Sequence, residues 1–168
     1  MKRLQEIIVS ALFFMMIHSS ASSAEPSFTV KLLTPETALK AAQAGLNECR
    51  ALGYQVAIAV VDRSGQTQVM LRDRLAGEHT IEAATNKAWT AASFKMSTTE
   101  LAKVTQSGQE SSGIRAMTRV LAIGGGVAVN IGGALYGAIG VSGAPSGAED
   151  DKCANAGIAA IAVDLEFN

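Results

Sequence analysis

Histidine is nearly absent from this sequence of 168 residues, with only two, His18 and His79. A zinc centre built from three histidines of one chain is therefore excluded, and a bis-histidine haem would draw on a second subunit if His18 is removed. There is no basic cluster, and the net charge is −1. That argues against nucleic acid, whose binding depends on neutralising phosphates. A Gly-x-Ser-x-Gly nucleophile elbow is missing, and any serine triad would have to use His79. The Gly124–Gly126 run lacks the Gly-Lys-Ser/Thr of a P-loop and precedes a strand rather than a helix. Internal repeats and low-complexity tracts are also lacking. Support for catalysis is accordingly thin, and the balance leans away from an enzyme.

No apolar run reaches the length needed to span a bilayer. The longest, Ile7–Ile17, follows Lys2 and Arg3 and precedes Ser22-Ser23-Ala24. This is the layout of a cleavable secretory signal, cut after Ala24, so the chain is expected to be periplasmic or secreted. Removing residues 1–24 takes away Lys2, Arg3 and Glu6, a net +1, and shifts the charge from −1 to −2. His18 leaves with them. One domain is expected over residues 25–168.

What the sequence does contain is a glycine-punctuated hairpin. Val127, Val129 and Ile131 alternate with Ala128 and Asn130, the period of a strand with one buried face. Gly132-Gly133 suits a two-residue turn with φ > 0 at both positions. The return strand runs over 134–142, with Leu135, Gly137, Ile139 and Val141 assigned to one face. Its glycines suggest close approach by another backbone or a ligand. Glu149, Asp150 and Asp151 then open a final helix over about 149–162, where acidic residues meet the positive end of the dipole. Asp150 and Asp151 as paired catalytic carboxylates are the lesser reading.

Upstream, Thr34-Pro35-Glu36 starts a helix with the stripe Leu39, Ala42, Leu46 and Cys49. Gln55–Asp62 and Thr67–Arg72 form a second hairpin around Gly65. A second helix follows, with Thr80 as its cap and Ile81, Ala84, Ala88, Ala91 and Phe94 as its inner stripe. Ser97-Thr-Thr-Glu100 fits a capping box that opens a short third helix, carrying Leu101 and Val104 inward. Residues 106–112 read as a loop, and Val120–Ile123 as a further strand. The sum is an α+β domain with a largely antiparallel sheet of about five strands flanked by helices. Cys49 and Cys153 fall on the first and last helices. They either pair, as an oxidising compartment allows, or are two small buried core residues, which residue type favours.

Ala57–Asp62 with its Gly65 turn, Lys87-Ala-Trp-Thr-Ala-Ala-Ser-Phe94, Gly125-Gly126, Tyr136–Gly143, Asp150-Asp151 and Ala154–Gly157 together carry a resemblance. In order and spacing they are similar to the GlcG/HbpS family, which includes the C-terminal domain of PduO-type proteins. The resemblance covers about residues 33–163. It implies an α/β/α, profilin-like sandwich with a five-stranded sheet, and homo-oligomers from dimers to octamers. It also implies that several members bind haem or another tetrapyrrole, that a secreted branch modulates a membrane sensor kinase, and that others are linked only by operon context to small metabolites such as hydroxy acids. Three functions follow: exported haem binding for scavenging, buffering or sensing; an interaction module for a membrane sensor; and an enzyme on a small hydroxy acid. The first is favoured. His79, in a glycine-flanked loop, is the candidate iron ligand. Arg115 and Arg119 are candidate partners for haem propionates, which suit arginine's forked donors. Tyr136 is a further candidate cofactor contact, and Met70, Met96 and Met117 are alternative donors.

Overall fold

The computed structural model describes residues 25–167, so the expected leader at 1–24 lies outside the described residues. Residues 25–30 form neither helix nor strand, and one compact unit runs from Lys31 onward. Its elements are α1 (Pro35–Ala51), β1 (Ala57–Asp62), β2 (Thr67–Arg72), α2 (His79–Phe94), α3 (Thr98–Val104), a 3-10 turn (Glu110–Ala116), β3 (Gly126–Ile131), β4 (Ala134–Ser142) and α4 (Gly147–Glu166).

Both hairpins form as their turn residues dictate. Asp62 Oδ1 accepts from the N–H groups of Ser64 (2.8 Å) and Gln66 (3.0 Å), closing the β1–β2 turn. Gly132 (φ 58°) and Gly133 (φ 77°) both occupy the left-handed region, which a two-residue hairpin turn requires. The hairpins then pair with each other, β1 against β4, in an all-antiparallel order β2-β1-β4-β3.

The sheet has four strands among the described residues, not five. Val120–Ile123 forms no ladder; a side chain and a local turn hold its backbone instead, and a second side chain holds the residue just before β3. Leu121 N–H donates to Thr90 Oγ1 (3.0 Å), Val120 N–H to Met117 O (3.1 Å), and Gly125 N–H to Asp151 Oδ1 (2.6 Å). Leu121 and Ile123 line a surface groove instead.

Strand alternation sends Ile58 and Val60 to one face, and Ala57, Ala59 and Val61 to the other. The first face packs under α1 and α4, whose Cys49 and Cys153 are both fully buried and disulfide-bonded, with Cα atoms 5.5 Å apart. The cysteines are thus buried core residues and a pair at once, so the preference for an unbonded pair is corrected. A bulge between Val129 and Asn130 makes Tyr136 the extra residue of β4. Tyr136, rather than Leu135, therefore joins Ile139 and Val141 in this core.

The second face packs under α2 through Ala84, Ala88, Ala91 and Ala92. A side chain at Gly140 would run into the carbonyl of Ala84, so the helix backbone lies directly on the strand. Three helical stripes are rotated from expectation. Leu39 and Ile81 are about two-fifths exposed and Val104 is half exposed, while Ala38, Ala41, Thr80 and Lys87 are buried. Alanine suits these inner positions because it permits the closest helix approach.

Candidate functional site

The ends of β1 and β4 at which Ala57 pairs with Ser142 open into a groove of about 760 Å³. This lies within the range of small-molecule sites, roughly 300–1,000 Å³. Gly53–Gln55 close one side and the β2–α2 loop, with Leu75 and Gly77, another. The first three turns of α2 contribute His79, Thr80, Ala83 and Lys87. Leu121 and Ile123 come from the segment before β3, and Ser142–Gly147 and Asp150 from the end of β4 and the start of α4.

The N-terminus of α2 sets His79 at the rim. Helix starts usually carry a capping side chain, and Thr80 is the sequence's candidate. Instead the helix begins at His79 with no side-chain cap, and Thr80 turns inward, its Oγ1 donating to Gly77 O at 2.5 Å. His79 is left exposed at the first helical position, its ring close over the bare backbone of Gly77. Neither imidazole nitrogen has a hydrogen-bond partner among the described residues.

The floor of the groove is charged. Lys87 Nζ donates to Asp150 Oδ2 at 2.7 Å and to Val141 O at 2.9 Å, and both side chains of the ion pair are only 4% exposed. Asp150 Oδ1 in turn accepts from Ala144 N–H at 3.0 Å, which ties the β4–α4 loop to α2. Burial pushes the Asp150 carboxyl above its ordinary pKa of 3.8; the Lys87 bond and charge and the Ala144 N–H oppose this, and the Asp151 charge adds to it. Asp150 does not cap α4: Ser146 does, its Oγ accepting from Glu149 N–H at 3.3 Å. Nor do the two aspartates form a carboxylate pair. Asp151 faces away to Gly125 N–H and to Thr99 Oγ1 (2.5 Å), fixing the start of β3.

The other candidate residues are not gathered around His79. Arg115 lines a neighbouring hollow, which shares Ile123 and Gly147 with the groove. Its Nε donates to Thr105 O (2.7 Å) and its Nη2 to Ala102 O (2.8 Å), capping the end of α3. Arg119 lies over the Trp89 ring, 4.8 Å from its centre. Tyr136 is on the opposite face of the sheet, its hydroxyl donating to Leu165 O at 3.3 Å. Met70 packs against the alanine layer and Met117 is half exposed; neither lines the groove, and nor does Met96.

Lys87 lines the groove, although the sequence singles it out only as the first residue of the Lys87–Phe94 segment. The signal was spacing: Lys87 follows Ala84 by three and precedes Ala91 by four, so a charge sits on the buried stripe of α2. Asp150 holds the same place on α4, three residues before Cys153 and seven before Gly157.

A family model described as "Haem degrading protein HbpS-like" matches residues 33–159. HbpS from Streptomyces reticuli, solved as a double Glu-to-Asp mutant, is 38% identical with a TM-score of 0.75, over 83% of this chain and 93% of that one. The Klebsiella pneumoniae protein ORFY is 30% identical with a TM-score of 0.79, over 83% and 97%. A structure described as a PduOC:heme complex is 32% identical with a TM-score of 0.72, over 77% and 95%. Among curated proteins, an uncharacterised 15.0 kDa protein of Citrobacter freundii is 32% identical over 68% of this chain and 82% of its own length. The corrinoid adenosyltransferase PduO of Salmonella typhimurium is 35% identical over 72% of this chain, which spans only 36% of that protein. The chain belongs to the HbpS-like family.

Proposed function

We propose that this chain is an exported haem-binding protein and that His79 supplies the axial nitrogen. The observation that carries the reading is an exposed imidazole, unpartnered at both nitrogens among the described residues, on the rim of a groove with apolar walls. Leu75, Ala83, Leu121, Ile123 and Pro145 give those walls the character that a tetrapyrrole face requires. The PduOC:heme relative supports haem as the molecule bound. Export rests on the leader pattern at residues 1–24, and a homo-oligomeric state and a membrane-sensor partner on the family resemblance alone.

Haem, when bound, brings an iron whose reactivity follows its axial ligand and surroundings. The chain's own residues hold and shield it. His79 presents its ring from the start of a well-packed helix, and the apolar walls exclude water from the face they cover. Arg115, across the Ile123 ridge, presents a guanidinium whose Nε and Nη2 are already tethered by backbone carbonyls. A propionate reaching that hollow would meet a pre-oriented donor. Arg119 would have to leave the Trp89 ring to serve, so Arg115 is the better placed of the two.

A hemin titration of the full chain beside His79→Ala tests the reading. Saturable, near-stoichiometric binding with a Soret band that changes in the variant is expected. Saturable binding with an unchanged band would move the ligand elsewhere, and no saturable binding would overturn the proposal.

A further inference from the structure

The groove's floor is chemically unlike its walls. Lys87 and Asp150 reach it from α2 and α4, each side chain 4% exposed, and Ser142 reaches it from β4 at 8%. Lys87 Nζ spends two of its three N–H groups, on Asp150 Oδ2 and Val141 O, and keeps one. Val141 lies in the core under α1 and α4, so strand alternation turns Ser142 toward α2, the side from which Lys87 comes. Ser142 is buried as a residue, yet its hydroxyl makes no hydrogen bond among the described residues and is not fully enclosed, so it is reached from the groove. A hydroxyl with no protein partner at the floor of a cavity is free to bond a molecule bound there. The ion pair has a structural purpose, since it joins α2 to the β4–α4 loop. That purpose explains neither the unused hydroxyl nor why all three side chains open on one cavity.

We propose that Ser142 and Lys87 form a recognition subsite for the carbonyl oxygen of a small neutral molecule, of the amide, ketone or aldehyde class. The Ser142 O–H and the remaining Lys87 N–H are both donors, and a carbonyl oxygen has two lone pairs to accept them. Asp150 cancels the ammonium charge at 2.7 Å, so the floor carries no net charge. A carboxylate entering there would meet the Asp150 carboxylate, whereas a neutral sp2 oxygen would meet only the donors. The subsite uses the floor and not the rim, so it stands independently of haem and of His79.

The test follows the backbone amides of Gly143 and Ala144 in the 15N-labelled full chain, titrated with acetamide and separately with sodium acetate at constant ionic strength. Saturable shifts with acetamide are expected, unchanged in His79→Ala and about threefold to tenfold weaker in Ser142→Ala, the loss of one hydrogen bond. Ser142→Gly, which also removes the hydroxyl, should behave alike, and melting curves of both variants establish that they are folded. Acetate should bind more weakly than acetamide. No saturable shift, or equal affinity in Ser142→Ala and the parent, overturns the subsite; acetate binding as tightly as acetamide overturns its neutral class. Hemin binding is read separately, so either proposal can fail while the other stands.

Discussion

The two faces of the sheet solve the same packing problem in opposite ways. Under α1 and α4 the strands present Ile58, Val60, Val129, Ile139 and Val141, and a disulfide ties the two helices that cover them. Under α2 they present mostly alanine and glycine, with Val61 as the one larger buried strand residue, and the helix backbone descends onto β4. The first face is thick, apolar and covalently locked. The second is thin and takes in polar groups: Thr80, Lys87, Thr90, Thr98 and Asp150 are all buried on or beside it. Large side chains bury more apolar area and so supply most of the hydrophobic stabilisation. A thin layer contributes less but brings helix ends and buried charges within reach of a groove. Stability and recognition are thus largely divided between the faces.

The largest expected effect breaks the locked face. Cys49 and Cys153 are 104 residues apart, and closing a loop of that size stabilises a fold by about 4–5 kcal/mol in the chain-entropy account. The double variant Cys49→Ala/Cys153→Ala should therefore lose a few kcal/mol in urea unfolding, while hemin and acetamide binding to the folded form persist. Loss of binding with little loss of stability would show that the faces are not divided in this way.

Next comes the charge buried in the thin face. Asp150→Ala leaves Lys87 without its partner, and breaking a buried pair from one side typically costs about 3–5 kcal/mol. That is several times the value of a helix cap, which a capping role for Asp150 would predict. A loss near ~1 kcal/mol would show that Lys87 is compensated without Asp150. Gly140→Val should follow at about 1–3 kcal/mol, or more if α2 cannot shift, because the new side chain meets the Ala84 carbonyl and the Ala88 nitrogen rather than a flexible side chain. An unchanged melting temperature would mean that the layer is not close-packed.

What the sequence made legible divides along the same line. The locked face is built from strand alternation and turn chemistry, so β1, β3, β4 and the Gly132-Gly133 turn lie where the pattern puts them. Ser97 and Glu100 form the capping box that their spacing announces. The thin face was harder, because alanine carries a weak hydrophobic signal. The pattern of α2 thus points to Ile81, whereas Thr80 and Lys87 are the residues buried. Val120–Ile123 reads as a strand by composition, but its partners are the side chain of Thr90 and a local turn, which no local pattern encodes. The Tyr136 bulge likewise depends on register with β3. Of the groove, His79 was legible as an isolated histidine in a loop. The Lys87–Asp150 pair spans 63 residues and was visible only as charges on two buried stripes.

The smallest effect decides which force governs the groove floor. Burial raises the Asp150 carboxyl above 3.8, against the opposing pull of Lys87. Below 3.8 the carboxyl is protonated in both the folded and the unfolded chain, so it adds no pH dependence. Between 3.8 and the raised folded value, the unfolded chain has released its proton while the folded chain still holds one. Folding therefore becomes less favourable as pH rises through that window. Urea unfolding of the parent and Asp150→Asn at several pH values from 4 to 7 isolates the effect, since groups remote from Asp150 cancel in the comparison. The stability of the parent relative to the variant should fall as pH rises and then level off. A difference that grows with pH would show attraction to Lys87 outweighing burial, and the floor would then be a strong ion pair. The expected fall describes a thin face that tolerates a costly charge where the groove needs one.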